Sequence, residues 1–194
     1  MFSGIIQGIG TIVNIKSNNT FIQTNVNLSD CMIGTSICCN GVCLTATSIE
    51  SIANNQFVFC VNISEETKNR STFSLQDLSQ IINIEKSLKV GDEIAGHFVY
   101  GHVDCTSEIS NIQKLESSWN LEIKKNDYMK KYIVEKGSIS INGISLTIAT
   151  TTSDNFTISI IPHTYDNTNL KSAKINDLVN IEFDALSRYV LNNA

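Results

Sequence analysis

The sequence predicts an all-β protein built as two similar domains in tandem, and three observations predict it. The hexapeptide NGVCLT at Asn40 to Thr45 returns as NGISLT at Asn142 to Thr147. Gly4 and Gly101, Thr67 and Thr164, and the triplets Asn83-Ile84-Glu85 and Asn180-Ile181-Glu182 all share one offset (101 − 4 = 164 − 67 = 180 − 83 = 97). Between them run short segments rich in Ile, Val, Thr and Phe, parted by Asn, Ser, Gly and Asp clusters, which is the spacing of a β-barrel or β-sandwich. The hexapeptides alone differ in offset (142 − 40 = 102), so five residues gained before the motif are lost after it. Two copies of one fold accumulate such changes in surface loops, where insertions cost little closure entropy. The expected units are 1–93, 94–185 and a C-terminal helix over 186–194.

Taken in order, the expected strands are Thr11 to Ile15, Phe21 to Leu28, Ser36 to Ile49, Gln56 to Ile63, Ile81 to Glu85, Ser138 to Thr151, Phe156 to Pro162 and Leu178 to Phe183. Asn40-Gly41 and Asn142-Gly143 are hairpin signals within two of them, because both residue types tolerate the positive φ that a tight turn demands. Helical spacing is confined to two places. Asn126 to Lys136 carries apolar residues at 129, 132, 133 and 134, and Ala185 to Leu191 carries them at 186, 189 and 190.

With 194 residues, 42% of them hydrophobic and 17% charged, the chain can bury two modest cores, and a formal charge of −5 argues against a nucleic-acid partner. Neither a basic segment followed by an apolar run at the N-terminus nor a stretch of eighteen apolar residues occurs, so no membrane association and a cytoplasmic location are expected. The six cysteines, at 31, 38, 39, 43, 60 and 105, contain no Cys-x-x-Cys pair. Free thiols are the expectation. Cys39, Cys43, His97, His102 and Cys105 are metal-ligating types, but their spacing matches no common zinc site, and no metal is expected.

Five motifs, MFSGIIQGIG at the start, the NGVCLT and NGISLT pair, GHFVYGHVD at Gly96 to Asp104, IPHT at Ile161 to Thr164, and VNIEFDALSRYV at Val179 to Val190, together resemble the alpha-type riboflavin synthase family over essentially the whole chain. The resemblance implies two six-stranded Greek-key barrels with short helices and a C-terminal helix that joins a homotrimer, each active site lying between the first barrel of one subunit and the second barrel of the next. It implies a transferase that moves a four-carbon unit between two molecules of 6,7-dimethyl-8-ribityllumazine, giving riboflavin and 5-amino-6-ribitylamino-2,4(1H,3H)-pyrimidinedione. No redox cofactor or metal is implied. An association with lumazine synthase is left open. Small departures are Ala95, where the family has a second glycine before Gly96-His97, and Lys86, where arginine is common.

Carried onto matching positions, the resemblance implies that Phe2, Gly4, Ile5, Ile6, Gly101, His102 and Val103 line the lumazine sites. Cys43, Leu44, Thr45, Asn62, Ile63, Ser64, Glu65, Glu66 and Thr67 join them from the first copy. Lys136, Ser145, Leu146, Thr147, Ser159, Ile160, Ile161, Pro162, His163 and Thr164 do so from the second. Donor and acceptor need different treatment, so positions where the copies disagree are the informative ones: Cys43 against Ser145, Ile5 against His102, Glu66 against His163 and Ser87 against Asp184. His102 suits proton transfer from the 7-methyl group, because histidine as a residue type exchanges protons near neutral pH. Cys43 is a candidate nucleophile or hydrogen-bonding group, Ser145 and Thr147 are candidate substrate contacts and proton relays, and Asp184 is a candidate orienter of His102 or Ser145.

The same residues have plainer readings. His102 between Gly101 and Val103 suits a turn, Cys43 in an apolar strand suits a buried small hydrophobe, and Asp184 suits an N-cap. Ser145 and Thr147 alternate with apolar neighbours as any half-exposed strand does. A non-catalytic lumazine-binding antenna protein is the competing reading. Intact Gly101-His102-Val103 and Ser145-Leu146-Thr147 argue against it, and the missing flavin motif and nucleotide domain argue against a flavin-dependent reductase.

Overall fold

The strand-forming residues close into two barrels in the computed structural model, which describes residues 1–192; Asn193 and Ala194, the end of the expected helix 186–194, lie outside the described residues. The first barrel comprises β1 (Gly8–Lys16), β2 (Asn19–Thr24), β3 (Ser36–Cys39), β4 (Val42–Ile52), β5 (Gln56–Asn62) and β6 (Ile81–Lys86), closed in the order β1-β2-β5-β4-β3-β6. The second comprises β7 (Cys105–Lys114), β8 (Trp119–Lys124), β9 (Ser138–Ile141), β10 (Ile144–Thr151), β11 (Asn155–Ile160) and β12 (Leu178–Phe183), in the same cyclic order. All pairings are antiparallel, and the β2-to-β3 and β8-to-β9 connections each pass over two strands in a Greek-key step.

Strands β7 and β8 were absent from the expected set. β7, CTSEISNIQK, buries only Ile109 fully, and a bulge between Ile109 and Asn111 breaks the two-residue alternation that marks a strand. Bulges recur at Ile12/Asn14, Ala46/Ser48 and Ile148/Thr150, and a bulge bends its strand locally. Both hairpin signals hold: Asn40 and Gly41 (φ 51° and 84°) and Asn142 and Gly143 (φ 49° and 82°) adopt the left-handed conformations of a type I′ turn.

Four short helices decorate the barrels: α1 (Glu65–Arg70), α2 (Asp127–Lys130), α3 (Pro162–Asp166) and α4 (Ala185–Asn192). The helix expected over Asn126 to Lys136 is a single turn capped by Asn126, after which Lys136 adopts φ +66° and its N–H bonds Ile148 O at 2.9 Å to enter β9. Pro162, expected to end a strand, instead opens α3, where its missing N–H costs nothing.

Each barrel has its own core, the first around Ile12, Ile22, Ile37, Phe59 and Ile84, the second around Ile109, Ile123, Ile141, Phe156 and Ile181. The repeated triplets join them. Asn83 Nδ2 donates to Asn142 O at 2.9 Å and Asn180 Nδ2 to Asn40 O at 2.7 Å, so each asparagine clamps the hairpin turn of the other barrel. In return Asn83 Oδ1 accepts from Asn169 N and Asn180 Oδ1 from Thr72 N, both at 2.7 Å. Buried amides satisfied in this way specify one docking geometry, since leaving any of them unpaired costs about 1–3 kcal/mol. No helix among the described residues is long and apolar enough to cross a membrane.

Candidate functional site

Two short arms cross between the barrels. The first, Phe2 to Ile6, is fixed by Glu85, whose carboxylate accepts Ser3 N (2.8 Å), Ser3 Oγ (3.0 Å) and Gly4 N (3.1 Å). From there Gly4 O accepts Ser145 N at 2.8 Å and Ile6 packs against the second core. The other arm, Val99 to Val103, mirrors it. Glu182 accepts Tyr100 N (2.7 Å), Gly101 N (2.8 Å) and His102 N (3.1 Å), Gly101 O accepts Cys43 N at 2.8 Å, and Val103 packs against the first core. Burial pushes both carboxyls up from their usual pKa, and the backbone N–H donors oppose that shift. Phe2 and Val99, both fully buried, tie the arms together through Phe2 N to Val99 O at 2.8 Å and Val99 N to Phe2 O at 3.1 Å.

Each barrel is thereby completed by the arm of the other copy: Cys43 meets Gly101-His102-Val103, and Ser145 meets Gly4-Ile5-Ile6. Gly4 and Gly101 share φ +76°, and a Cβ on either would stand 2.6 Å from the backbone nitrogen of Ser145 or Cys43. Only glycine permits both that conformation and that approach.

On the first barrel, Val42, Cys43, Glu66, Thr67, Arg70, Ser71, Gly101, His102 and Val103 enclose a cavity of about 230 Å³. Cys43 is half-buried there, and the exposed His102 ring lies 6.1 Å from the Tyr100 ring. Thr45 follows, exposed, on the same face of β4. The remaining first-copy positions are partly committed elsewhere. Ser64 Oγ accepts Thr67 N at 3.1 Å as the N-cap of α1, Glu65 pairs with Lys68, Glu66 with Arg70, and Asn62 with Asn19. The side chains of Leu44 and Ile63 lie in the core, which leaves only their backbone to face a ligand.

On the second barrel, the half-buried Ser145 places Oγ 2.7 Å from Nδ1 of His97. Burial lowers the His97 pKa from its usual value and Asp184 opposes that shift, so the net effect favours the neutral ring. In the tautomer protonated at Nε2, Nδ1 accepts the Ser145 hydroxyl proton. Ser145 thus pairs with His97, whereas His102 lines the first-barrel cavity with Cys43. Thr147, Ser159, Ile161, Pro162 and His163 are exposed, while Leu146 and Ile160 pack into the core. His163 O accepts Asn167 Nδ2 at 2.8 Å, Thr164 O accepts Thr168 Oγ1 at 2.8 Å, and Lys136 lies exposed before β9. Asp184 caps α4, accepting Leu186 N at 3.0 Å.

His97 is a side chain of the candidate site that residue-by-residue comparison of the copies passes over. It stands ahead of the first matched pair, Gly4 and Gly101, so the comparison has nothing to set against it. The available signal was the second Gly-His dipeptide, Gly96-His97, five residues before Gly101-His102. The five metal-ligating types are not brought together: Cys39 faces the first core, Cys105 packs on the second, and His97 holds Ser145. Among the described residues no group of three or more His, Cys, Asp or Glu side chains could hold a metal.

The Lumazine binding domain family matches residues 3–87 and again 100–184. Riboflavin synthase of Actinobacillus pleuropneumoniae is 39% identical over 98% of this chain and 88% of its own length. Riboflavin synthase of Bacillus subtilis (strain 168) is 37% identical over the same shares. A solved structure, LumP complexed with riboflavin, superposes with a TM-score of 0.81 at 24% identity, covering 94% of this chain and 99% of that one. That last likeness speaks for the fold alone.

Proposed function

The chain belongs to the riboflavin synthase family, and from that premise we propose that it is a lumazine-dismutating transferase in which the two barrels treat identical substrates differently. It takes two molecules of 6,7-dimethyl-8-ribityllumazine and moves a four-carbon unit from one to the other, yielding riboflavin and 5-amino-6-ribitylamino-2,4(1H,3H)-pyrimidinedione. Binding both substrates converts an encounter of dilute molecules into an oriented, effectively intramolecular one, worth on the order of 7–11 kcal/mol.

The observation that carries the reading is the unequal chemistry at equivalent positions: Ser145 hydrogen-bonded to His97 in one copy, Cys43 sharing a cavity with His102 in the other. The second barrel holds the donor. Ser145 Oγ, with its proton directed to His97 Nδ1, relays the proton lost from the donor's 7-methyl group, and His97 accepts it. The first barrel holds the acceptor, with Cys43 and His102 at the ring and Thr45, Asn62 and Thr67 toward the ribityl hydroxyls. Thr147, Ser159 and the residues from Ile161 to Thr164 do the same for the donor, with Lys136 from a neighbouring subunit.

The working unit is a homotrimer in the cytoplasm. Leu186, Tyr189 and Val190 of α4 are each about two-thirds exposed in the single chain, which is the apolar surface that a helix at a subunit interface needs. Incubation of the purified protein with the lumazine alone, with chelator present and no nicotinamide, tests the reading: riboflavin absorbance should rise. Lumazine binding without riboflavin would make the protein a carrier of the antenna type.

A further inference from the structure

Cys38 and Cys43 lie directly opposite each other across the β3–β4 hairpin. Antiparallel partners alternate between hydrogen-bonded pairs and non-bonded pairs, and the latter bring their Cα atoms to about 4.5 Å. The Ala46 N to Thr35 O bond of 2.9 Å sets the phase, and Cys43 N points away from Cys38 to Gly101 O. Cys38 and Cys43 are therefore a non-bonded pair. A disulfide requires Cα atoms roughly 4.4–6.8 Å apart, so this pair meets the requirement without backbone movement.

Both side chains leave the same face. Ile37, Cys39, Val42 and Leu44 fill the first core, while Cys38 and Cys43 pack outside it against Phe2 and Val99. The second hairpin sets Ser140 opposite Ser145 in the same register, so facing thiols occur in only one copy of the repeat. Cys38 is almost fully buried, whereas Cys43 also lines the 230 Å³ cavity, which makes Cys43 the sulfur an incoming oxidant meets first.

We propose that Cys38 and Cys43 form a redox modification site, in which a small peroxide converts the facing thiols to a disulfide that closes the first-barrel site. The Cys43 thiolate attacks one peroxide oxygen, the O–O bond breaks and hydroxide leaves, giving a sulfenic acid. The Cys38 sulfur then displaces hydroxide from Cys43, forming the S–S bond, and the Cys38 proton completes a water. In sum two thiols and one hydrogen peroxide give one disulfide and two waters, with two electrons passing from sulfur to peroxide oxygen. The effect on turnover rests on the proposed function, whereas the disulfide does not.

The test treats the full-length protein with hydrogen peroxide, alkylates remaining thiols and locates the linkage by fragment-ion mass mapping. Cys38 and Cys43 should be joined, lighter by two hydrogens and protected from alkylation, with riboflavin formation at least tenfold lower and restored by dithiothreitol. Cys38→Ser, which copies Ser140, should keep untreated turnover. After peroxide its activity should not return with dithiothreitol, because Cys43 without a resolving thiol climbs to the sulfinic acid. Free Cys38 and Cys43 after treatment, linkage of Cys43 to another cysteine, or wild-type recovery by Cys38→Ser would each overturn the site. An untreated protein that makes no riboflavin would defeat the proposed function while leaving the mass map to decide on the disulfide.

Discussion

His97 Nδ1 lies 2.7 Å from Ser145 Oγ, whereas Cys43, at the equivalent position of the first barrel, shares its cavity with His102. The segment ahead of the second barrel thus places a histidine nitrogen within hydrogen-bond reach of the Ser145 hydroxyl. Together with Cys43 against Ser145 and Ile5 against His102, that contact sets two similar pockets apart.

Replacing His97 by Gln keeps a hydrogen-bonding side chain of similar reach but removes proton transfer, which typically carries on the order of 10²–10⁴ in rate. Turnover should fall by that amount while lumazine binding, followed by its fluorescence, stays within a few-fold. His102→Gln should cost less. A His97→Gln protein running at the wild-type rate would take the histidine out of the mechanism.

The pH profile carries the same claim with a definite sign. Burial depresses the His97 pKa, so the ring stays neutral through pH 7, and kcat/KM should fall only below about pH 6.5. Asp184 raises that pKa, so Asp184→Asn should move the acid limb to lower pH, and asparagine retains the helix cap. Stability follows the same direction: the contribution from a folded-state pKa below the unfolded one is present above about pH 6.5 and lost as pH falls through the depressed value. An acid limb that moves upward in Asp184→Asn would contradict the assignment.

Gly101→Ala should be harmful for two reasons that a control can separate. Its φ of +76° strains any Cβ, and that Cβ would lie 2.6 Å from Cys43 N. Gly91 has φ +99° with nothing within 4 Å. Gly91→Ala should cost about 1 kcal/mol from strain alone. Gly101→Ala should lose more stability in denaturant melts and weaken lumazine binding, and equal losses would show that the arm yields easily.

Cys43→Ser and Cys43→Ala divide chemistry from packing. The second copy already places a serine at this position, so Cys43→Ser should melt like the parent and keep part of its activity. Cys43→Ala should melt alike but lose much more rate. A purely packed thiol predicts the reverse order, since an unpartnered buried hydroxyl costs about 1–3 kcal/mol.

Much of this architecture was legible in the repeat. The Asn-Gly turns carry their own geometry, and the Asn83-Ile84-Glu85 and Asn180-Ile181-Glu182 triplets marked equivalent places without revealing their task. Their task is long-range: the asparagines grip the opposite hairpin and the glutamates hold the crossing arms, contacts that no local pattern encodes. β7 escaped notice because its bulge and serines erase the alternation. His97 escaped because it belongs to the segment between copies, where comparison of one copy with the other is blind.

Product stoichiometry tests the account most directly. With 6,7-dimethyl-8-ribityllumazine as sole substrate, quenched samples should contain one riboflavin and one pyrimidinedione for every two lumazines consumed, and Ser145→Ala should suppress both products together while still binding ligand. Tight lumazine binding with no riboflavin formed, or riboflavin formed without its pyrimidine partner, would contradict a dismutation carried out by two unequal sites.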